Sequence, residues 1–178
     1  PGRYVAVFTG EVEAVAAVFN GSATALLDDS ATLPGLKQAL PGAELLHLAC
    51  HGQFRADSPY FSSLELADGA LTLRDAASLP LAGTMDTLSA CETGVSRIAP
   101  GDELLGLVRG FLMAGAPTVL ATLWTVDDAG TASLMADFYR ALGSGQSPAQ
   151  SLRQAQLRLR ETKAHPYFWA PFALHGRA

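Results

Sequence analysis

The chain has 178 residues, enough to bury one sizeable core and too few for a second full domain. Hydrophobic residues make up 49% and charged residues 16%, which excludes a disordered chain and fits either a sheet covered on both faces or an unseen partner surface. A formal charge of -5, with 12 Lys and Arg that never gather into a run, argues against a nucleic-acid or anionic-membrane partner. No stretch approaches the roughly 18 consecutive apolar residues of a membrane span, and the N-terminus lacks the form of a signal peptide.

Two cysteines, Cys50 and Cys91, make no disulfide framework and point to a reducing compartment, the cytoplasm. The chain opens on Pro1 and is expected to be one domain, residues 1–178, cut from something longer.

In chain order, "RYVAVF" (3–8) reads as a buried strand, and "EVEAVAAVF" (11–19) carries apolar residues at helical spacing. Ser30 or Thr32 offers an N-cap for a helix reaching about Leu40, closed by Pro41-Gly42. "AELLHLAC" (43–50) is continuously apolar, as a parallel strand covered on both faces should be. Between Asp57 and Leu81, "DSPYFSS", "ADGA" and "LP" break the chain into a loop, a short hairpin and a helical turn around "LRDAASL". "TMDTLSAC" is the next strand, weakened by Asp86. After the loop "ETGVSRIAPGDE", the spacing of Leu104, Leu107, Val108, Phe111 and Leu112 predicts a helix over 103–116, stopped by Gly115. "PTVLATLW" is a third core strand. Two helices follow, the first capped by an aspartate and ended by Gly143, the second starting at Ser147; "YFWAPFALHG" closes as a strand. Strands alternating with helices imply right-handed crossovers and a mostly parallel sheet, hence an α/β/α three-layer sandwich.

In such sheets ligands bind beyond the carboxyl ends of the strands, where strand order reverses. Cys50-His51-Gly52 and Ala90-Cys91-Glu92 both fall at predicted strand ends. A zinc site built from His47, His51 and Cys50 is one reading, although no glutamate stands between the histidines as in a zinc protease. His47 lies in mid-strand and reads as a core histidine, and Cys50, on the face opposite His51, as packing. His51 and Cys91, at strand ends, are placed to work. A thiol nucleophile needs a base, and imidazole titrates near neutrality. Neighbouring parallel strands about 4.8 Å apart would let the two meet. Attack on a carbonyl builds an oxyanion, which the Gly52 and Cys91 N–H groups would hold.

Four ordered motifs, "HLACHG" (47–52), "LSACETG" (88–94), "GDELLGLVRGFLMAGAPTVLATLWTVDD" (101–128) and "HPYFWAPFALHG" (165–176), resemble the CHAT family of caspase-like peptidase domains. The resemblance covers about Tyr4 to Gly176 and groups the chain with caspases, gingipains and separase. It implies a caspase-like α/β/α fold, with the family's histidine at His51, its cysteine at Cys91 and its oxyanion glycine at Gly52. Three departures stand out: the strand before the cysteine is a shorter apolar run than the family's, Cys50 stands where the family has threonine or a similar small residue, and the family's usual segment ahead of Tyr4 is expected to be missing from this stretch. "TLWTVDD" is similar to the separase segment that lines the pocket for the residue before the scissile bond. That similarity places a carboxylate for Arg or Lys at Asp128, with Asp127 beside it, although one of the two is also expected to cap the following helix. Trp124 would be a pocket wall, and Glu92 would either touch substrate or face solvent.

The resemblance thus implies a cysteine endopeptidase acting on a protein or peptide, without metal or organic cofactor, attached to tetratricopeptide or other repeats in its parent chain. The other reading is a caspase fold kept as a non-catalytic interaction module.

Overall fold

The computed structural model describes residues 4–8, 18, 23–53, 61–89, 91–92, 102–124 and 128–177. Its main sheet has six strands in the order β10-β9-β7-β3-β1-β2: β1 (Tyr4–Phe8), β2 (Ala23–Leu27), β3 (Leu45–Ala49), β7 (Met85–Leu88), β9 (Thr118–Thr122) and β10 (Phe172–Gly176). All neighbours run parallel except β10, which is antiparallel to β9. A second sheet of short strands, ordered β6-β5-β4-β8, comprises β4 (His51–Gln53), β5 (Ser63–Leu66), β6 (Gly69–Thr72) and β8 (Cys91–Glu92).

Period-two alternation divides the core between the two faces of the main sheet. Val5, Val7, Leu46, Leu48, Leu88, Val119 and Ala121 pack against α1 (Leu33–Ala39), α2 (Leu73–Ala76) and α3 (Asp102–Met113). Ala6, Leu45, Met85, Leu120 and Phe172 pack on the other side, against α4 (Asp128–Gly143) and α5 (Pro148–Thr162). This is the three-layer α/β/α sandwich expected from the sequence. Both faces being covered explains why the strands read as unbroken apolar runs.

Local chemistry sets the helix ends. Thr32 caps α1 by accepting from the Gly35 N–H, and Ser147 caps α5 in a reciprocal box with Gln150. Gly115, at φ +99°, makes the left-handed turn that ends α3, and a Cβ there would lie 3.3 Å from the Ala82 backbone.

Three elements depart from the sequence reading. The closing strand begins only at Phe172; Tyr167–Trp169 belong instead to a helical turn, α6 (Pro166–Trp169). Pro166 presets its first turn and His165 caps it by accepting from the Tyr167 N–H. The edge strand β2 was not foreseen. His51 does not end a strand of the main sheet but starts β4 in the second one, after a break at Cys50. Of the helix expected over 11–19, only Val18 is described; it is helical, half-buried and packed on the α4 side of the core. The loop 93–101 lies outside the described residues. Among the described residues no helix is long and apolar enough to cross a membrane.

Candidate active site

The chain passes from β1 to β2 on one side of β1 and then returns to place β3 on the other, so strand order reverses between β1 and β3. The conspicuous tripeptides lie beyond the carboxyl ends of β3 and β7, one strand removed from that reversal. They get there because both strands continue past the main sheet into the second one.

The continuation keeps register. Leu48 stands opposite Leu88, the Ser89 N–H donates to the Leu48 carbonyl at 2.9 Å, and His51 then stands opposite Cys91 with Gly52 opposite Glu92. The offset is 40 residues on both sides of the break (88 − 48 and 91 − 51). On the histidine side the break is a single residue, Cys50, between Ala49 of β3 and His51 of β4. Opposite residues in a parallel pair lie about 4.8 Å apart, backbone to backbone.

His51 is exposed and Gly52 buried, with β4 held on its other edge by β5, where Leu64 stands opposite Gly52. The Gln53 side chain adds a hydrogen bond to Glu65 at 2.7 Å. Cys91 and Glu92 are placed by their backbone; their side chains lie outside the described residues.

On the other flank of Cys91, β9 pairs with β7 at an offset of 33, Leu88 opposite Ala121 (121 − 88). Trp124 follows the carboxyl end of β9 by two residues. Trp124 is half-buried and its indole N–H donates to the Tyr167 carbonyl at 3.0 Å, so α6 holds it at the rim. Trp169 is also half-buried, resting against the α4 side of the core and donating to the Ala164 carbonyl. Asp128 is the first residue of α4, where a carboxylate meets the positive end of the helix dipole; its side chain, like Asp127 as a whole, lies outside the described residues.

Below this rim the strands carry a buried polar group. His47 and Thr87 are register partners on β3 and β7, and Tyr139 of α4 bridges them. The Tyr139 hydroxyl donates to Thr87 Oγ1 at 2.8 Å and shares a 2.7 Å hydrogen bond with His47 Nδ1. Burial pushes the His47 imidazole down to about 4 and raises the Tyr139 phenol, so both are neutral near pH 7. His47 is thus the satisfied core histidine expected, but its partner, 92 residues away, had no signal in the sequence.

Burial, reinforced by the Glu65 carboxylate, pushes the Cys50 thiol up to about 12, which makes it inert packing. His47, Cys50 and His51 do not converge, and among the described residues no three His, Cys, Asp or Glu side chains are placed to hold a metal. Asp86, beside Thr87 on β7, is fully buried, and neither carboxylate oxygen has a hydrogen-bond partner among the described residues. Burial raises its pKa well above the usual carboxylate range.

Solved structures with this architecture include the Saccharomyces cerevisiae separase–securin complex. Two structures of it, at 2.6 and 3.0 Å, superpose with TM-scores of 0.62 and 0.60 at 14% and 15% identity, covering 99% and 98% of this chain and 12% of the other. Likeness at that identity establishes the caspase-like fold. In sequence, the chain is similar to tetratricopeptide repeat protein 28: 36% identical over 108 residues to the mouse protein and 32% over 130 to the human one. These alignments take in 60% and 72% of this chain but only 4% and 5% of those proteins, so the chain spans a small part of their length. The model of the CHAT domain matches residues 5–177, nearly the whole chain, and the chain therefore belongs to the CHAT domain family.

Proposed function

We propose that this chain is a cysteine endopeptidase domain with His51 and Cys91 as its dyad. The observation that carries the reading is the offset of 40 shared by the β3–β7 and β4–β8 pairings, which sets an exposed His51 opposite Cys91. In the first step His51 takes the thiol proton and the Cys91 sulfur attacks the peptide carbonyl carbon. The tetrahedral oxyanion is held by the Gly52 and Cys91 N–H groups. Collapse breaks the C–N bond, the leaving amine takes its proton from the imidazolium, and a thioester remains. Water, deprotonated by His51, then releases the carboxylic acid and restores the thiol. These steps call for no metal or organic cofactor.

Asp128, with Asp127 beside it, would select Arg or Lys before the scissile bond by a charge-assisted hydrogen bond. Trp124 would wall the pocket, and Glu92 would lie against substrate next to the nucleophile. The leaving amine must meet His51, on one side of Cys91, so the acyl half of the substrate runs the other way, toward β9 and Asp128. In this reading the parent chain joins the domain to tetratricopeptide repeats and works in the cytoplasm on a protein substrate.

The test is cleavage profiling of a peptide library by wild type, Cys91→Ala and Asp128→Ala. Cleavage after Arg or Lys that is lost in Cys91→Ala and loses its basic preference in Asp128→Ala is the expected result. Cleavage that persists in Cys91→Ala would refute the nucleophile, and unchanged selectivity in Asp128→Ala would refute the pocket.

A further inference from the structure

Between two strands whose other side chains are mostly apolar, the His47–Thr87 rung is a buried polar pair, and one hydroxyl from α4 closes it. Between two parallel strands buried on both faces, apolar packing alone discriminates less sharply between registers, because Leu, Val and Met substitute for one another at modest cost. A polar rung specifies it well. If β7 slipped one residue, Thr87 would turn to the opposite face, toward α1 and α3. If β7 slipped two residues toward the rim, Met85 would replace Thr87 under the Tyr139 hydroxyl. Each slip would leave a buried hydroxyl without its present bond, which a folded interior penalises heavily.

The rung lies four residues before His51 on β3 and four before Cys91 on β7, about 13 Å of strand. A two-residue slip would separate the dyad backbones by about 6.6 Å along the strand, beyond proton-transfer distance.

We propose that Tyr139, with His47 and Thr87, is a positioning element: a register pin that fixes β3 against β7 and thereby holds Cys91 opposite His51. The pin rests on the dyad reading above for its purpose, and on the buried hydrogen bonds alone for its existence. It touches neither substrate nor the reacting atoms. Single polar residues in apolar seams set register in coiled coils by the same logic.

The experiment follows alkylation of Cys91 by iodoacetamide against pH, read by intact mass and peptide mapping. Only one of the chain's two cysteines reports, since Cys50 is buried with its thiol pushed up to about 12. In parallel, amide hydrogen exchange at Ser89, which donates to the Leu48 carbonyl, reads the pairing of β3 and β7 without reference to chemistry. The variants are Tyr139→Phe and Thr87→Val, which remove the hydroxyls, and Thr87→Ser, which keeps one. Leu152→Ala in α5 serves as a control that destabilises the same face while leaving the imidazole and both hydroxyls in place.

The pin predicts that Tyr139→Phe and Thr87→Val slow alkylation at pH 6.5 about five- to tenfold, as a rise of up to about one unit in the Cys91 pKa would, and speed exchange at Ser89. Thr87→Ser and Leu152→Ala should retain the wild-type pH profile. Unchanged Ser89 exchange in Tyr139→Phe and Thr87→Val overturns the pin, as does an equal shift in Leu152→Ala. A wild-type Cys91 that titrates like a free thiol near about 8.5 refutes the dyad instead. With Ser89 exchange still faster in Tyr139→Phe, that result leaves the pin standing.

Discussion

Replacing Asp86 by Val should stabilise the chain, and by more at alkaline than at acidic pH. Asp86 is 0% exposed in the middle of a parallel sheet, neither oxygen is partnered among the described residues, and its pKa is raised by burial alone. A buried polar group without partners costs about 1–3 kcal/mol. A β-branched apolar side chain of similar size recovers that and adds contacts with the surrounding leucines, for a gain of about 2–4 kcal/mol. In a domain of this length that corresponds to roughly 5–15 °C in Tm.

The pH dependence follows from proton binding. The folded pKa lies above the unfolded value of about 3.9, so between the two the folded chain holds more protons. Wild-type stability therefore falls as pH rises through that window, by at most about 1.4 kcal/mol per unit. Asp86→Val lacks this slope, and its advantage grows from pH 5 to pH 8. Urea denaturation of both proteins at the two pH values measures it, with Asp86→Asn separating charge from polarity: it should lose the slope while keeping most of the polar penalty. A Val variant less stable than wild type, or one with the same advantage at both pH values, would refute the reasoning.

The dyad, the thiols and the caps give further expectations. His51→Ala should lower kcat by about 10²–10⁴-fold with little change in fold, measured by steady-state kinetics and circular dichroism. Cys50→Thr should leave the number of thiols alkylated below pH 8 unchanged, because the buried Cys50, at about 12, contributes none. Gly115→Ala should destabilise by at least about 1 kcal/mol in urea, since the position holds φ +99° against the Ala82 backbone. Ser147→Ala, which removes the α5 cap, should cost about 1 kcal/mol in the same assay.

The sequence disclosed most where the physics is periodic and local. Within the runs read as strands at 43–50 and 117–124 lie β3 and β9, and the cap residues Thr32 and Ser147 began the helices expected of them. Asp86 was read as weakening its strand, yet β7 forms around it, because pairing on both sides outweighs one unfavourable side chain. Strand β2 went unread because an edge strand with three exposed residues carries no buried run. His165-Pro166 did carry a cap signature, but the aromatic run behind it read as strand, and tertiary placement at the rim gave the helical turn.

The hairpin expected around "ADGA" is β5–β6, but its extension by β4 and β8 escaped, because strands of three and two residues are shorter than any pattern. For the candidate site, the residue types and the separation of 40 were legible, but His51 and Cys91, read as ending core strands, each start a short strand of the second sheet. That this separation equals the register offset of β3 and β7 is a property of the sheet, which no local pattern encodes. Tyr139 was invisible for the same reason: its partners come from strands 52 and 92 residues away.

The central claim is that His51 activates Cys91 for attack on a peptide bond after a basic residue. Intact-mass labelling with an arginyl peptide chloromethyl ketone tests it most directly, comparing wild type with His51→Ala and Cys91→Ala. One adduct mapped to Cys91 in wild type, strongly slowed in His51→Ala and absent in Cys91→Ala, is what the account predicts. A wild-type chain that takes no adduct, or labelling as fast without the imidazole as with it, would contradict it.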